Sequence, residues 1–245
     1  MSQNIEFIAR DDFYFDATPR PFPASQAIPD WWKNQVPYRQ SPENPDGKKI
    51  IVRDYESNAT FKKCTPMLDA LTSGYIIPLM ADIQVTNVGT DSQYVPYINW
   101  RVRTPLPVFD AHAMESVKIE KPNGYHAQAL KYINGWNIKT PKGYSTLFIS
   151  PVGYEDGPFR ALTAVIDTDS TPHEIILPVW IKNGLEGIVE KGTPMVQVIP
   201  FKRTNWEATF SHYEKNEMAK LVTRDVKATI VNNYVKNFWT KKSYK

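Results

Sequence analysis

The sequence predicts a mainly β protein, a sandwich or barrel of short strands, and three observations lead there. From about residue 50 to residue 201, apolar runs of a few residues alternate with turn residues, a spacing typical of all-β domains. The chain of 245 residues holds 20 prolines, 13 tyrosines and 11 phenylalanines, a mixture that favours strands and irregular connections over a helical bundle. The turn signals themselves are specific: Thr72-Ser73-Gly74, Asn134-Gly135, Pro141-Lys142-Gly143, Lys182-Asn183-Gly184 and Glu190-Lys191-Gly192.

Taken in order, residues 1–49 predict an N-terminal arm. Seven prolines (Pro19, Pro21, Pro23, Pro29, Pro37, Pro42 and Pro45) break any long helix or central strand there. The same stretch carries Phe13, Tyr14, Phe15, Phe22, Trp31 and Trp32, which a disordered composition lacks. An extended arm lying against its own domain or a neighbouring subunit is therefore expected. A short helical turn is expected at residues 28–33, with Asp30 as its cap.

Residues 50–206 are expected to form the β domain. Strands are predicted at 49–53, 60–63, 75–85, 127–132, 136–140, 145–150, 162–166, 174–181, 187–189 and 195–201. In residues 207–245 the period changes. Met218, Leu221, Val222, Val226, Ile230, Tyr234 and Phe238 recur at intervals of three and four without Pro or Gly, which predicts an amphipathic helix over 215–238. Lys236, Lys241, Lys242 and Lys245 then read as a solvated basic tail.

Composition excludes several classes. With 42% hydrophobic and 22% charged residues the chain can build a core. Its net charge of +3 gives no strong nucleic-acid signal. The single cysteine, Cys64, leaves no intramolecular disulfide and no cysteine-based metal cluster. Neither a secretory leader nor a membrane span is expected, and the expected location is the cytoplasm.

Familiar catalytic patterns do not emerge. The four histidines, His112, His126, His173 and His212, show no metal-ligand spacing, and Asp110-Ala111-His112 reverses the order of the iron-oxygenase pair. There is no glycine-rich phosphate loop and no nucleophile elbow. Cys64 reads as a structural thiol, and Trp31, Trp32, Trp100 and Trp206 as packing residues.

Four blocks do carry a resemblance. Leu68-Asp69-Ala70-Leu71-Thr72-Ser73-Gly74-Tyr75-Ile76 is a small-residue turn entering a strand. Ile138-Lys139-Thr140-Pro141-Lys142-Gly143-Tyr144 continues through Leu147-Phe148-Ile149-Ser150-Pro151. Ala164-Val165-Ile166-Asp167-Thr168-Asp169 is the third block, and Val189-Glu190-Lys191-Gly192-Thr193-Pro194-Met195-Val196-Gln197-Val198 the fourth. Their order and spacing, above all over 136–201, resemble the dUTPase family, which implies a β-clip fold. Blocks such as Cys64-Thr65-Pro66-Met67 and Gly192-Thr193-Pro194-Met195 also resemble a family of phage and bacterial proteins that brings no activity with it.

The resemblance implies a site and also its impairment. Asp167 aligns with the carboxylate that orients or deprotonates the attacking water, and Gln197 is kept. The residues implied for ligand binding are Asp167, Asp169, Gln197, Ser150 and Tyr144. Against this, Ile76 stands where the family has an Asp, Val152 where it has an Arg, Gly153 where it has a Ser and Ser170 where it has a Tyr. Phosphate chemistry depends on positive charge and a metal at the phosphates, so these exchanges remove what catalysis needs. The competing reading of Asp167 and Asp169 is that they only accept hydrogen bonds from strand-end amides, and that Gln197 is a ladder-edge side chain.

The reading that follows is a non-catalytic dUTPase-like module of phage origin, binding a nucleotide-like ligand or a protein partner and needing no cofactor. It is expected to be a homo-oligomer, because the family it resembles builds shared sites from three subunits. One alternative is a virion structural protein, a capsid decoration or tail component. The other is a divergent nucleotide hydrolase that uses Asp167, with magnesium held by ligands such as Asp69, Asp82, Asp167 and Asp169.

Overall fold

A computed structural model gives the structure of the chain and describes residues 3–37, 60–90, 92–112, 120–171, 174–212, 217, 220, 235–236 and 238–245. The chain divides into two compact units: Met1–Ala27 with Leu71–Arg203 and Tyr244–Lys245, and Ile28–Ala70 with Thr204–Ser243.

The first unit is built from antiparallel strands. They are β1 (Glu6–Ala9), β2 (Phe22–Pro23), β3 (Tyr75–Pro78), β4 (Ile83–Asn87), β5 (Pro96–Trp100), β6 (Phe109–Ala111) and β7 (Leu130–Ile133). They continue as β8 (Trp136–Lys139), β9 (Tyr144–Ile149), β10 (Phe159–Ala161), β11 (Ala164–Ile166), β12 (Ile176–Ile181), β13 (Gly187–Val189) and β14 (Pro194–Lys202). Among the described residues they form a five-stranded sheet β11-β9-β14-β3-β2, a four-stranded sheet β10-β12-β7-β6, a three-stranded sheet β13-β4-β5 and the pair β1-β8. The protein is mainly β, as expected, but among the described residues the sheets do not close into a barrel. The chain leaves one sheet for another at its turns: β8 pairs with β1 while β9, just after Pro141-Lys142-Gly143, pairs with β14.

A large core holds this unit together. Tyr132, Ile138, Phe148, Val179, Ile181, Met195 and Val198 are fully buried in it, with Ile83 and Val85 of β4 and Leu79 of the β3–β4 connection. Tyr132 is the polar exception; its hydroxyl donates to the Pro78 carbonyl at 2.6 Å, and burial pushes its phenol above the ordinary value.

Residues 3–27, read as an extended arm, are partly regular and lie on this same unit. β1 pairs with β8 from Glu6↔Lys139 to Ala9↔Trp136, and β2 pairs with β3. Between them runs α1 (Asp12–Ala17), capped by Asp11, whose side chain accepts from the Tyr14 amide at 3.3 Å. Tyr14 is fully buried, and its ring lies where a Cβ on Gly135 would be, 2.0 Å away. Gly135 is thus required both by its φ of +70° and by the close approach of that ring.

In the second unit, α2 (Asp30–Lys33) is the expected helical turn, but Pro29 and not Asp30 occupies the cap position. Asp30 lies in the first turn and pairs with Lys33 Nζ at 3.1 Å. Trp32 is buried, and Lys62 Nζ donates to its carbonyl at 2.7 Å. Residues 60–63, predicted as a strand, instead make a single 3-10 turn, Phe61–Lys63. Thr60 Oγ1 caps it from the Lys62 amide at 3.3 Å, an option open to a hydroxyl side chain that a strand would not use. Helix α3 (Thr65–Thr72), which the strand pattern did not anticipate, follows.

Other boundaries moved for identifiable reasons. The expected strand 75–85 is divided at residues 79–82 into β3 and β4. Leu79 instead bonds the Thr193 carbonyl and the Gly192 amide, both at 2.8 Å. The expected strand 162–166 begins only at Ala164, since Leu162 donates to Pro178 of the four-stranded sheet while β11 joins the five-stranded one. The strand predicted at 49–53 and most of the helix predicted at 215–238 lie outside the described residues.

Lys236, Lys241, Lys242 and Lys245 are all exposed, as expected of a solvated tail, while particular residues anchor it. In the second unit Trp239 Nε1 donates to both Asp69 carboxylate oxygens, at 3.1 and 3.0 Å, and Lys242 pairs with the same carboxylate. In the first, Tyr244 meets Tyr75 edge-on, and the Tyr75 hydroxyl donates to the Lys245 carbonyl at 3.2 Å. Among the described residues no helix is long and apolar enough to cross a membrane.

Candidate functional site

The carboxylates of the third block lie just beyond β11. Thr168 between them is buried and shares hydroxyl hydrogen bonds with Thr140 and Thr146, at 2.7 and 2.8 Å. The Asp167 carbonyl accepts from the amides of Ser170 and Thr171, both at 3.1 Å, which closes the turn. This anchoring fixes where the two Asp side chains point.

Both point at Arg203, the residue after β14. Lys202 is opposite Tyr144, so the next amide, that of Arg203, reaches the Gly143 carbonyl at 2.8 Å. Its guanidinium Nη1 donates to Asp169 Oδ1 at 2.9 Å, and Nη2 bonds Asp169 Oδ2. The same Nη1 lies 3.0 Å from Asp167 Oδ1, 3.0 Å from the Tyr144 carbonyl and 3.2 Å from Ser145 Oγ. Ser145 is buried and its hydroxyl donates to Asp167 Oδ1 at 2.6 Å. One guanidinium thus ties two carboxylates to the β8–β9 turn.

The two carboxylates are not equivalent. The Asp169 side chain is only 7% exposed and also accepts from the Gly143 amide at 2.8 Å, whereas that of Asp167 is 62% exposed. The Arg203 hydrogen bonds, and after them the Gly143 amide, hold the Asp169 carboxyl down at about 2. Asp169 in turn raises the Arg203 guanidinium above its ordinary value.

Gln197 and Ser150 belong to a different place. Gln197 is opposite Ile149 while Ser145 is opposite Phe201, four residues along β14, a separation of about 13 Å at strand rise. The buried Gln197 amide accepts from Val152 N at 2.9 Å and donates to the Ser73 carbonyl at 2.7 Å. Ser150 Oγ accepts from the Ala161 amide at 2.9 Å. Of the five residues expected around one ligand, Asp167, Asp169 and the Tyr144 backbone therefore meet at Arg203, and Gln197 and Ser150 brace a separate pair of turns.

Ile76, Ser170 and Val152, the residues at the exchanged positions of the resemblance, are built into the scaffold. Ile76 is buried in β3 opposite Gln197, and Ser170 Oγ donates to the Asp167 carbonyl at 3.2 Å. Val152 contributes its amide to Gln197.

Chemically, the arrangement binds the chain to itself through one Asp167 oxygen and both Asp169 oxygens. A general base needs an oxygen open to the water proton; Asp167 Oδ1 takes a hydroxyl and a guanidinium, which leaves Oδ2 of this largely exposed side chain as the oxygen that faces solvent. Magnesium does not fit between the carboxylates, because the positive charge there is already supplied by Arg203. Of the other suggested ligands, Asp82 accepts from the Lys191 amide at 2.6 Å, and Asp69, in the second unit, is held by Trp239 and Lys242. Among the described residues no three His, Cys, Asp or Glu side chains converge.

Sequence reasoning missed Arg203 and Ser145. The signal for Arg203 was its place one step past a strand whose register puts it beside Gly143, which only the pairing reveals. No protein-family model, curated protein or solved structure matches the chain.

Proposed function

We propose that this chain is a non-catalytic, dUTPase-like β-clip module that works through protein contacts, assembled in several copies. The observation that carries the reading is the single Arg203 guanidinium held against both Asp167 and Asp169. It draws Asp167, the carboxylate that would orient water, together with Asp169 into a strap across the β8–β9 turn, the role expected of a structural charge pair. The β-clip part is supported by the way the blocks meet. Gln197 of the fourth block bonds Ser73 of the first and Val152 just after the second. Arg203 joins the third block to the turn of the second.

A protein partner is preferred to a nucleotide because positive charge that phosphates would need is neutralised internally. A phage particle is one setting for such a module, on the resemblance to phage proteins; mass spectrometry of purified particles would find the chain there. The function is tested by calorimetric titration with a panel of deoxynucleoside and nucleoside triphosphates, beside measurement of the chain's molar mass in solution. Absence of nucleotide heat with a mass above that of one chain is expected. Saturable nucleotide binding by a monomer contradicts the reading.

A further inference from the structure

Three Asn-Gly pairs occur in the chain, Asn123-Gly124, Asn134-Gly135 and Asn183-Gly184. The fold holds one of them and leaves the other two open. Asn134 is buried, and both ends of its side-chain amide are engaged. Its Nδ2 donates to the Ile175 carbonyl at 2.8 Å, and its Oδ1 accepts from the Trp136 amide at 2.9 Å. Gly135 beside it is pinned by the Tyr14 ring, so this pair cannot rotate without undocking that ring.

The other two pairs are the central residues of turns. Tyr125 N donates to the Pro122 carbonyl at 3.2 Å across the first, and Leu185 N to the Lys182 carbonyl at 3.3 Å across the second. Asn123, Gly124, Asn183 and Gly184 are all exposed. Among the described residues, neither asparagine side chain and neither glycine nitrogen makes a hydrogen bond. A Cβ on Gly124 or Gly184 would meet nothing within 4 Å, so both backbones have open space in which to rotate. That combination is what attack on an asparagine by its own chain requires. The attacking atom is the nitrogen of the next residue, which glycine leaves unhindered because it has no Cβ. The side-chain Cγ must swing onto that nitrogen, and an amide held by hydrogen bonds at both ends is withheld from it.

We infer that Asn123 and Asn183 are sites of spontaneous deamidation, and that the fold protects Asn134. At each turn the glycine nitrogen gives up its proton and bonds to the asparagine Cγ. The bond from Cγ to the side-chain nitrogen breaks, ammonia leaves and a cyclic imide remains. Water then opens the imide. Addition at Cγ gives aspartate; addition at the main-chain carbonyl gives isoaspartate, in which the chain runs through the side chain. The two turns share a contact, since the Asn183 amide donates to the Gly124 carbonyl at 2.9 Å and Tyr125 bridges Lys182 beside it. Isoaspartate in either turn adds a main-chain carbon and a carboxylate there, which moves these partners out of register. Tyr125 is the residue most affected. It is buried with Ala129 and Trp180, and its hydroxyl reaches the Glu155 and Gly157 carbonyls at 3.1 and 3.0 Å.

The full chain, held in mildly alkaline buffer, sampled over time and mapped by peptide mass spectrometry, tests this. Peptides carrying residues 123 and 183 are expected to gain the mass that separates a hydroxyl from an amino group. They should divide into aspartyl and isoaspartyl forms that elute apart. In the folded chain Asn134 trails both by about tenfold or more, because it reacts only when its surroundings open. In urea it catches up. Asn123→Gln and Asn183→Gln, both changes of exposed side chains, each abolish the mass gain at their own turn and leave the other reacting, because a longer side chain closes its ring far more slowly. Asn134 reacting as fast in the folded chain as in urea overturns the protection. A turn whose asparagine stays intact in the folded chain, over the time in which Asn134 reacts in urea, is not a site, and that result overturns the proposal there.

Discussion

Arg203 grips Asp169 with both guanidinium nitrogens, Nη1 on Oδ1 at 2.9 Å and Nη2 on Oδ2, while the Gly143 amide closes on the same carboxylate from the turn. The contact is bidentate, a geometry that lysine cannot reproduce.

A pH dependence follows from it. The Asp169 carboxyl is lowered from 3.8 to about 2, so its contribution to stability is present above about pH 4. It is lost as pH falls through 2, where the folded carboxylate finally protonates. In Arg203→Ala the Asp169 carboxyl moves back toward 3.8 and this acid-labile component shrinks. Side-chain carboxyl NMR titration, with melting curves at pH 7, 4 and 2, reads both effects. Identical acid dependence in variant and wild type contradicts the strap.

Asp167 contributes less. Its side chain is largely exposed, so Asp167→Asn costs about 1 kcal/mol or less once solvent screening is included. Chemical denaturation checks this against Asp169→Asn, for which a larger loss is expected.

Gln197→Met keeps the volume of a buried side chain but removes the acceptor of the Val152 amide. Leaving that amide unpaired costs about 1–3 kcal/mol. If the Gln197 amide served only a ligand, the urea midpoint of the variant would not move.

Gly135→Ala places a methyl group within 2.0 Å of the Tyr14 ring, at a φ of +70°. A loss of about 2 kcal/mol or more is expected, from the backbone and from the displaced ring together. Hydrogen exchange should show the loss concentrated in α1 and β1. A uniform change would mean that Tyr14 is not what holds the arm.

The strand core was legible because β8, β9, β12 and β14 announce themselves twice, by apolar runs and by the glycine turns between them. Less was legible where a single residue decides. Residues 79–82 divide one expected strand into two, and Thr60 turns another into a 3-10 turn through one hydrogen bond from the Lys62 amide to its side chain. α1 was hidden in a proline-rich stretch with only Asp11 to mark its start. At the site, the sequence named Asp167, Asp169 and Gln197 but not their partners. Arg203 is 34 residues from Asp169, and its meeting with it depends on the β9–β14 register, which no local pattern encodes.

Phosphate release from a panel of nucleoside triphosphates with magnesium, by wild type and by Asp167→Ala, tests most directly whether these carboxylates are structural. With Arg203 held between them, neither protein should release phosphate above the buffer rate. Release by the wild type that vanishes in Asp167→Ala would contradict the account and make Asp167 a catalytic base.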